Sequence, residues 1–138
     1  MTEHQWIFHG QPLETAPEEY QGFVYLIENH DTKRKYIGKK FFWSTRKVRQ
    51  KGKTTRKTVK KESDWKKYYG SNKELLNDIA DGKNNVTRTI LHLCHTKGEC
   101  SYLEAKEQFE RDVLLTDDYY NTWISAKIAV SHLKMKGE

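Results

Sequence analysis

The sequence has little that would point to a membrane, secreted or repetitive protein. None of its 138 residues falls in an apolar run of about 18, the length that a membrane-spanning helix needs. The first residues have neither the basic start nor the apolar core of a secretion signal, and there is no internal repeat. We therefore expect a cytoplasmic protein that makes no contact with a membrane.

Cysteine is also scarce. In a reducing compartment, Cys94 and Cys100 are more often free thiols than a disulfide. With His92 and His95 they would make four potential zinc ligands close in sequence. On a strand, however, His92 and Cys94 point to one face and His95 to the other. We therefore favour buried thiols and surface histidines.

Length and composition predict one domain over residues 1–138. Hydrophobic residues make up 36% of the chain and aromatic residues 12%, which is enough for one compact core. Residues 1–21 are expected to form an N-terminal extension laid over the domain. Residues 22–121 then form the core, and residues 122–138 a C-terminal helix and tail.

One segment, residues 46–61, has no acidic residue but nine lysines or arginines, so it accounts for the net charge of +6. Such a basic insertion is often only a solvated, mobile loop. It also suits contact with a nucleic-acid backbone, which we favour. The candidate DNA-binding residues are Lys47, Arg49, Lys51, Lys53, Arg56, Lys57, Lys60 and Lys61.

Two β-rich runs flank a short polar turn between Gly22 and Gly38. If the loop is residues 29–32, these runs pair as a hairpin in which Tyr25 lies directly opposite Tyr36, on the same face of the sheet. Two tyrosines side by side are by themselves more often simple packing than a site.

Further elements follow from local patterns. Residues 39–46 predict a short helix that carries Arg46, and residues 86–94 are β-branched and predict a third strand. We expect an α+β fold with a small three-stranded antiparallel sheet flanked by helices.

Two helices are predicted to begin with capping boxes, in which the first side chain and the fourth hydrogen-bond each other's backbone. The first runs from Ser71 to Glu74, and its helix ends near Gly82. The second runs from Ser101 to Glu104. Glu107 lies one turn further along this helix, so the carboxylates of Glu104 and Glu107 could face the same side.

The segments Gly22-Phe-Val-Tyr25 and Tyr36-Ile-Gly38, with an interval of eleven between the tyrosines, together resemble the signature of the GIY-YIG nuclease superfamily. The family also has an arginine about ten residues past the second tyrosine, a metal-binding glutamate on a later helix and then an asparagine. Arg46, Glu107 and Asn121 stand in that order. The resemblance implies a β-β-α-β-α core and an endonuclease that hydrolyses DNA, expected to be double-stranded.

The resemblance also implies roles for these residues. Glu107 would hold Mg²⁺, which Mn²⁺ can replace, and Arg46 would bind the scissile phosphate through its planar guanidinium. Tyr25 would orient or deprotonate the attacking water, with Tyr36 in support. Asn121 would fix the geometry of the site by hydrogen bonds.

The supporting residues are Gly38, Lys39, Lys40 and Tyr69. Gly38 allows backbone or substrate to approach closely, and Lys39 and Lys40 point toward the site. Several family members also place a histidine, tyrosine or lysine from the middle helix in the site. Here Tyr68 or Tyr69 would substitute, so the identity of the general base stays open.

Three functions remain open. The first is a metal-dependent endonuclease of the phage or homing type, cutting one strand or two as a monomer or a dimer. The second is a binding module that grips DNA or RNA through residues 46–61 without cutting. The third is a structural or partner-binding protein, which predicts no nucleic-acid affinity.

Overall fold

The computed structural model describes residues 4–80 and 85–125 of the chain, and a five-stranded mixed sheet is its largest element. The elements in chain order are β1 (Trp6–Phe8), β2 (Gln11–Pro12), β3 (Gly22–Asn29), β4 (Arg34–Phe41), β5 (Trp43–Arg49), β6 (Arg56–Glu62), a 3₁₀ turn (Trp65–Lys67), α1 (Lys73–Ala80), β7 (Val86–Cys94) and α2 (Lys97–Glu110).

The strand order of the main sheet is β2-β1-β7-β3-β4. The prediction of three antiparallel strands is wrong, because β1 pairs with β7 in parallel and β2 pairs with β1. The N-terminal segment, predicted as an extension, therefore contributes two strands to the sheet. The predicted third strand is confirmed as β7, antiparallel to β3. The α+β class is also confirmed.

The central hairpin has a different register from the predicted one. Tyr25 pairs with Gly38 and Tyr36 pairs with Ile27, so the two tyrosines are not directly opposite. The loop begins one residue later than predicted because the side chain of Asn29 accepts hydrogen bonds from the next residues of the turn. The shift equals two residues of one strand, so both tyrosines still share one face.

Both faces of β3 are buried. On one face an aromatic cluster around Trp6, Phe23 and Trp65 packs under the 3₁₀ turn and α1. On the other face an aliphatic cluster that includes Val24 and Ile37 packs against α2. The sheet is thus the middle of three layers, and β4 is one of its two edge strands.

The basic segment is neither a helix nor an irregular loop. Strands β5 and β6 pair over seven residues each and form a separate two-stranded antiparallel sheet, here called the ribbon, residues 43–62. The prediction of a helix over residues 39–46 is wrong, and Arg46 lies on β5. The threonine and valine residues between the cations favour extended backbone. The sequence prediction relied on the charges of this segment and therefore missed the two strands.

Both helices begin at other residues than predicted. The Asn72 side chain accepts the Leu75 N–H at 2.9 Å, so Asn72 caps α1. The Thr96 side chain accepts the Glu99 N–H at 3.0 Å, so α2 begins one turn before the predicted Ser101.

The predicted C-terminal helix over residues 122–138 lies mostly outside the described residues, and residues 122–125 are irregular. The predicted end of the first helix near Gly82 also lies outside them. No helix in the described residues is long and apolar enough to span a membrane.

Candidate active site

A cavity of about 630 Å³ lies beside the outer edge of β4. Residues from both faces of the sheet line this cavity, because side chains on either face of an edge strand can extend past the edge. Its lining includes Tyr25, Tyr36, Lys39, Tyr68, Glu104 and Asn121. The sequence predicted four of these six as site residues or supporting residues.

Gly38 makes the tyrosine side of the cavity possible. A Cβ at this position would lie 2.4 Å from the Tyr25 hydroxyl oxygen and 2.6 Å from the ring carbon that carries it. The Tyr25 ring therefore crosses directly over the Gly38 backbone and extends to the edge of the sheet. The ring centroids of Tyr25 and Tyr36 are 6.2 Å apart.

A second glycine, Gly70, packs against the tyrosines that line the cavity. Gly70 has a φ of +90°, and a Cβ there would lie 3.3 Å from the Tyr25 hydroxyl oxygen. The segment before Gly70 is held in place by the buried guanidinium group of Arg88. This group donates hydrogen bonds to the carbonyl oxygens of Tyr68 at 2.7 Å and Lys66 at 2.9 Å. This loop brings the Tyr68 ring to 6.0 Å from that of Tyr25.

Burial keeps both phenols of the sequence signature protonated. Tyr25 is 1% exposed, and desolvation together with the neighbouring Tyr68 and Tyr36 raises its pKa well above the ordinary value. Desolvation also raises the pKa of Tyr36, although the Ser71 hydroxyl opposes it. In the protein alone these hydroxyls are neutral hydrogen-bonding groups.

Two glutamates line the cavity, Glu74 on α1 and Glu104 on α2, and Glu74 is paired with Arg34 at 2.7 Å. The Lys39 ammonium lies 3.5 Å from the Glu104 carboxylate and 3.1 Å from the Ser101 hydroxyl. Desolvation raises the pKa of Glu104 even though charge and hydrogen bonds from Lys39 lower it. A carboxylate in this state gains from a further cation.

Glu107, the predicted metal ligand, lies outside this cavity. Its carboxylate accepts from His92 Nε2 at 2.7 Å and from Arg111 Nε at 3.0 Å. Burial raises its pKa, but these two partners lower it further, so the pKa of Glu107 is below its ordinary value. One turn of helix therefore separates two glutamates with opposite pKa shifts.

Asn121 is buried and clamps the edge of β4. Its side chain accepts the Ile37 N–H at 3.1 Å and donates to the Ile37 carbonyl oxygen at 2.8 Å. The same carbonyl accepts from Gln108 at 3.1 Å. These bonds hold the backbone of β4 between Tyr36 and Gly38.

The other predicted residues lie elsewhere. Arg46 is exposed on the ribbon. Lys40 pairs with Asp64 at 2.8 Å. The Tyr69 hydroxyl hydrogen-bonds to His4 Nδ1 at 2.9 Å, so Tyr68 rather than Tyr69 lines the cavity.

Sequence reasoning missed the cavity residues next to α1, Ser71, Asn72 and Lys73. It placed Glu104 in a capping box, on a side of the helix that Glu107 could share, and preferred Glu107 as the metal ligand. The Thr96 to Glu99 spacing is itself a capping box and would have placed Glu104 inside the helix.

The described residues contain no group of three or more His, Cys, Asp or Glu side chains that could hold a metal ion. The zinc alternative accordingly gains no support: Cys94 and Cys100 are buried free thiols. A metal in the cavity would have the half-buried carboxylate of Glu104, since Glu74 is paired with Arg34, and would need other oxygen ligands. This donor set fits Mg²⁺, which usually keeps several waters and binds substrate phosphates.

Comparison with known proteins identifies the family of the chain. The family model described as "Putative endonuclease segE, GIY-YIG domain" matches residues 6–124, which include the hairpin, the ribbon and Asn121. No curated protein and no solved structure matches the chain significantly. The family implies endonuclease activity on DNA. Because the match covers most of the chain, this protein belongs to the GIY-YIG endonuclease family.

Proposed function

We propose that this protein is a Mg²⁺-dependent endonuclease that hydrolyses phosphodiester bonds of double-stranded DNA, with Mn²⁺ able to replace Mg²⁺. It would be of the kind encoded by phages or homing elements. The observation that supports this most is the cavity at the edge of β4, where three tyrosines, two lysines and the half-buried carboxylate of Glu104 meet.

Glu104 takes the metal-binding role in this proposal, in place of Glu107. It lines the cavity, and desolvation raises its pKa more than the neighbouring Lys39 lowers it. Glu107 already has two cationic or hydrogen-bonding partners. When bound, Mg²⁺ would neutralise charge on the phosphoryl oxygens and acidify a bound water.

Lys39 and Lys73 take the role of binding the scissile phosphate, in place of Arg46. Both line the cavity, and Lys73 begins α1, where the backbone N–H groups also favour an anion. A lysine binds phosphate as a point charge and lacks the planar fork of arginine.

Tyr25 and Tyr36 orient the attacking water in this proposal and do not take its proton. Their raised pKa values favour the neutral phenol, which can both donate and accept a hydrogen bond. Asn121 keeps the intervening strand in place through its two bonds to Ile37.

The test is incubation of supercoiled plasmid with purified protein in Mg²⁺, Mn²⁺ or EDTA. We expect nicked or linear product with either metal and none with EDTA. Glu104→Gln should lower the cleavage rate about 10³-fold, since a lost metal interaction is several kcal/mol of barrier. Glu107→Gln is the matched control on the same helix and should retain most of the activity.

Other results would overturn parts of the proposal. Cleavage in EDTA would remove the metal. Loss in Glu107→Gln with retention in Glu104→Gln would return the metal to Glu107. Salt-sensitive binding without any cleavage, on plasmids of varied sequence, would favour the non-cleaving module.

A further inference from the structure

The ribbon has two faces of different chemistry. Directly opposed residues of an antiparallel pair share a face, and successive residues alternate. The pairs Thr45 with Lys60, Lys47 with Thr58 and Arg49 with Arg56 form one face, here called the arginine-pair face. The pairs Ser44 with Lys61, Arg46 with Val59 and Val48 with Lys57 form the other, here called the valine face.

The arginine-pair face carries an unfavourable feature for an isolated ribbon. Arg49 and Arg56 are directly opposed, and like charges in this position destabilise a strand pair. On the valine face every cation is opposite an uncharged residue. The only acidic residue of the ribbon, Glu62, is paired with Trp43 at the base, six residues along the strands from the Arg49–Arg56 pair, so no carboxylate of the ribbon lies beside these arginines. An external group that accepts hydrogen bonds from both guanidinium groups would remove the conflict.

The base of the ribbon is firmly attached to the domain. Trp43 Nε1 donates to the Tyr20 carbonyl oxygen at 3.1 Å, and Gln21 Nε2 donates to the Trp43 carbonyl oxygen at 2.9 Å. The Lys60 ammonium lies 4.2 Å from the centre of the Trp43 ring. The ribbon therefore projects from a defined base and its outer half is exposed on both strands.

A shallow cavity connects the base of the ribbon to the active site. It has a volume of about 320 Å³, and its lining includes Ser44, Thr45, Ser63 and Lys97. Lys39 lines both this cavity and the tyrosine cavity. A DNA strand held at the tyrosines can thus continue along hydroxyl and ammonium groups toward the ribbon.

We propose that the ribbon enters the major groove of duplex DNA with the arginine-pair face toward the base edges, where Arg49 and Arg56 hydrogen-bond to guanine. The major groove admits a two-stranded β-ribbon, and arginine binds guanine O6 and N7 through two hydrogen bonds. This inference rests on the proposed function, since it takes DNA as the substrate. It makes the ribbon the element that selects where the protein binds.

The test compares two exposed double variants that each remove two charges, one from each strand of the ribbon. Arg49→Ala/Arg56→Ala alters the arginine-pair face, and Arg46→Ala/Lys57→Ala alters the valine face. Affinity is measured in EDTA on a linear duplex of mixed sequence, so that cleavage plays no part. We expect the first variant to lose about 100-fold in affinity and the second about threefold or less.

A second duplex identifies the groove. Replacing guanine by 7-deazaguanine removes the N7 acceptor from the major groove. The wild-type protein and the valine-face variant should bind this duplex more weakly than the ordinary one, whereas the arginine-pair variant should bind both equally.

Equal losses in the two variants would show contact with phosphates from both faces and overturn the assignment. A larger loss in the valine-face variant would reverse it, and no loss in either would remove the ribbon from the interface. A failure of the nuclease proposal would appear in the cleavage assay and not in these affinities.

Discussion

The cavity and the ribbon place charge in opposite ways. In the cavity Lys39 has Glu104 and Ser101 as partners, and the phenols are desolvated. On the ribbon nearly every side chain is exposed, and two arginines face each other without a carboxylate between them. The cavity is organised by contacts within the protein, whereas the ribbon is organised for a contact outside it.

This difference indicates that the cavity carries out the chemical step and that the ribbon binds and positions the DNA. A small number of desolvated groups in defined positions suits a chemical step, because electrostatic interactions are strong where water is excluded. Exposed cations on a projecting ribbon suit affinity and position on DNA, with an effect that salt weakens. Each of the three following predictions compares a substitution at or next to the cavity with a similar substitution elsewhere in the protein.

Of these three comparisons, the largest effect is expected between the loss of a hydroxyl group in the cavity and the loss of a cation on the ribbon. Tyr25→Phe removes only a hydroxyl, but that hydroxyl orients the attacking water in the proposal, and the cleavage rate should fall about 100-fold. Arg46→Met removes a cation from the valine face and should change the rate only a fewfold. Single-turnover cleavage at saturating protein measures both.

Tyr69→Phe is the control for the loss of a phenol, because its hydroxyl hydrogen-bonds to His4 outside the cavity. Its cleavage rate should match that of the wild type. If Tyr25→Phe cleaves DNA as fast as the wild type, the tyrosine part of the proposed mechanism is wrong.

A smaller effect, on stability, is expected from two glycines. Gly38→Ala forces a methyl group against the buried Tyr25 ring and should lower the free energy of unfolding by about 1–3 kcal/mol. Gly52, in the ribbon turn, has open space around it and a φ of +74°. Gly52→Asn should therefore be nearly neutral, since asparagine tolerates this conformation. Urea denaturation measures both, and a neutral Gly38→Ala would contradict the close packing.

The smallest effect is expected in the pH dependence of stability. The raised pKa of Glu104 contributes stability that is present below the unfolded-state pKa and lost as the pH rises through the folded-state pKa. The lowered pKa of Glu107 does the opposite and contributes stability above the unfolded-state pKa. At neutral pH, Glu104→Gln should be neutral or slightly stabilising and Glu107→Gln destabilising.

Thermal unfolding of both variants from acidic to neutral pH checks these signs. The two curves should diverge from the wild-type curve in opposite directions as the pH rises through the range in which carboxyl groups titrate. Parallel curves would show that the two glutamates have similar surroundings.

Local patterns predicted several elements correctly. The β-branched residues of β7 and the polar turn after β3 predicted strands that the structure contains. The shared face of Tyr25 and Tyr36 was also predictable, because a register shift of two residues leaves the faces unchanged. The exact opposition of the tyrosines was not predictable, since it depends on hydrogen bonds of the Asn29 side chain within the turn.

The predictions for the N-terminal segment and the ribbon were wrong because both depend on pairing between strands that local patterns do not reveal. Nothing near Trp6 indicates that β1 pairs with β7, more than eighty residues away, or that the Trp6 indole donates to the Trp65 carbonyl oxygen at 2.7 Å. The ribbon was misread because its many cations resemble a solvated loop. The alternation of its side chains has meaning only once the two strands are paired.

The sequence by itself determined the order of the chemically important residues, the basic character of one segment and the glycine that the tyrosine side requires. Only the tertiary structure decided which glutamate and which cations line the cavity. Glu104 and Glu107 are separated by one turn of α2, and the chain does not reveal which of them faces β4 until the helix packs against the sheet. Burial and charge neighbours are properties of that packing, and they give the two carboxylates their opposite pKa shifts.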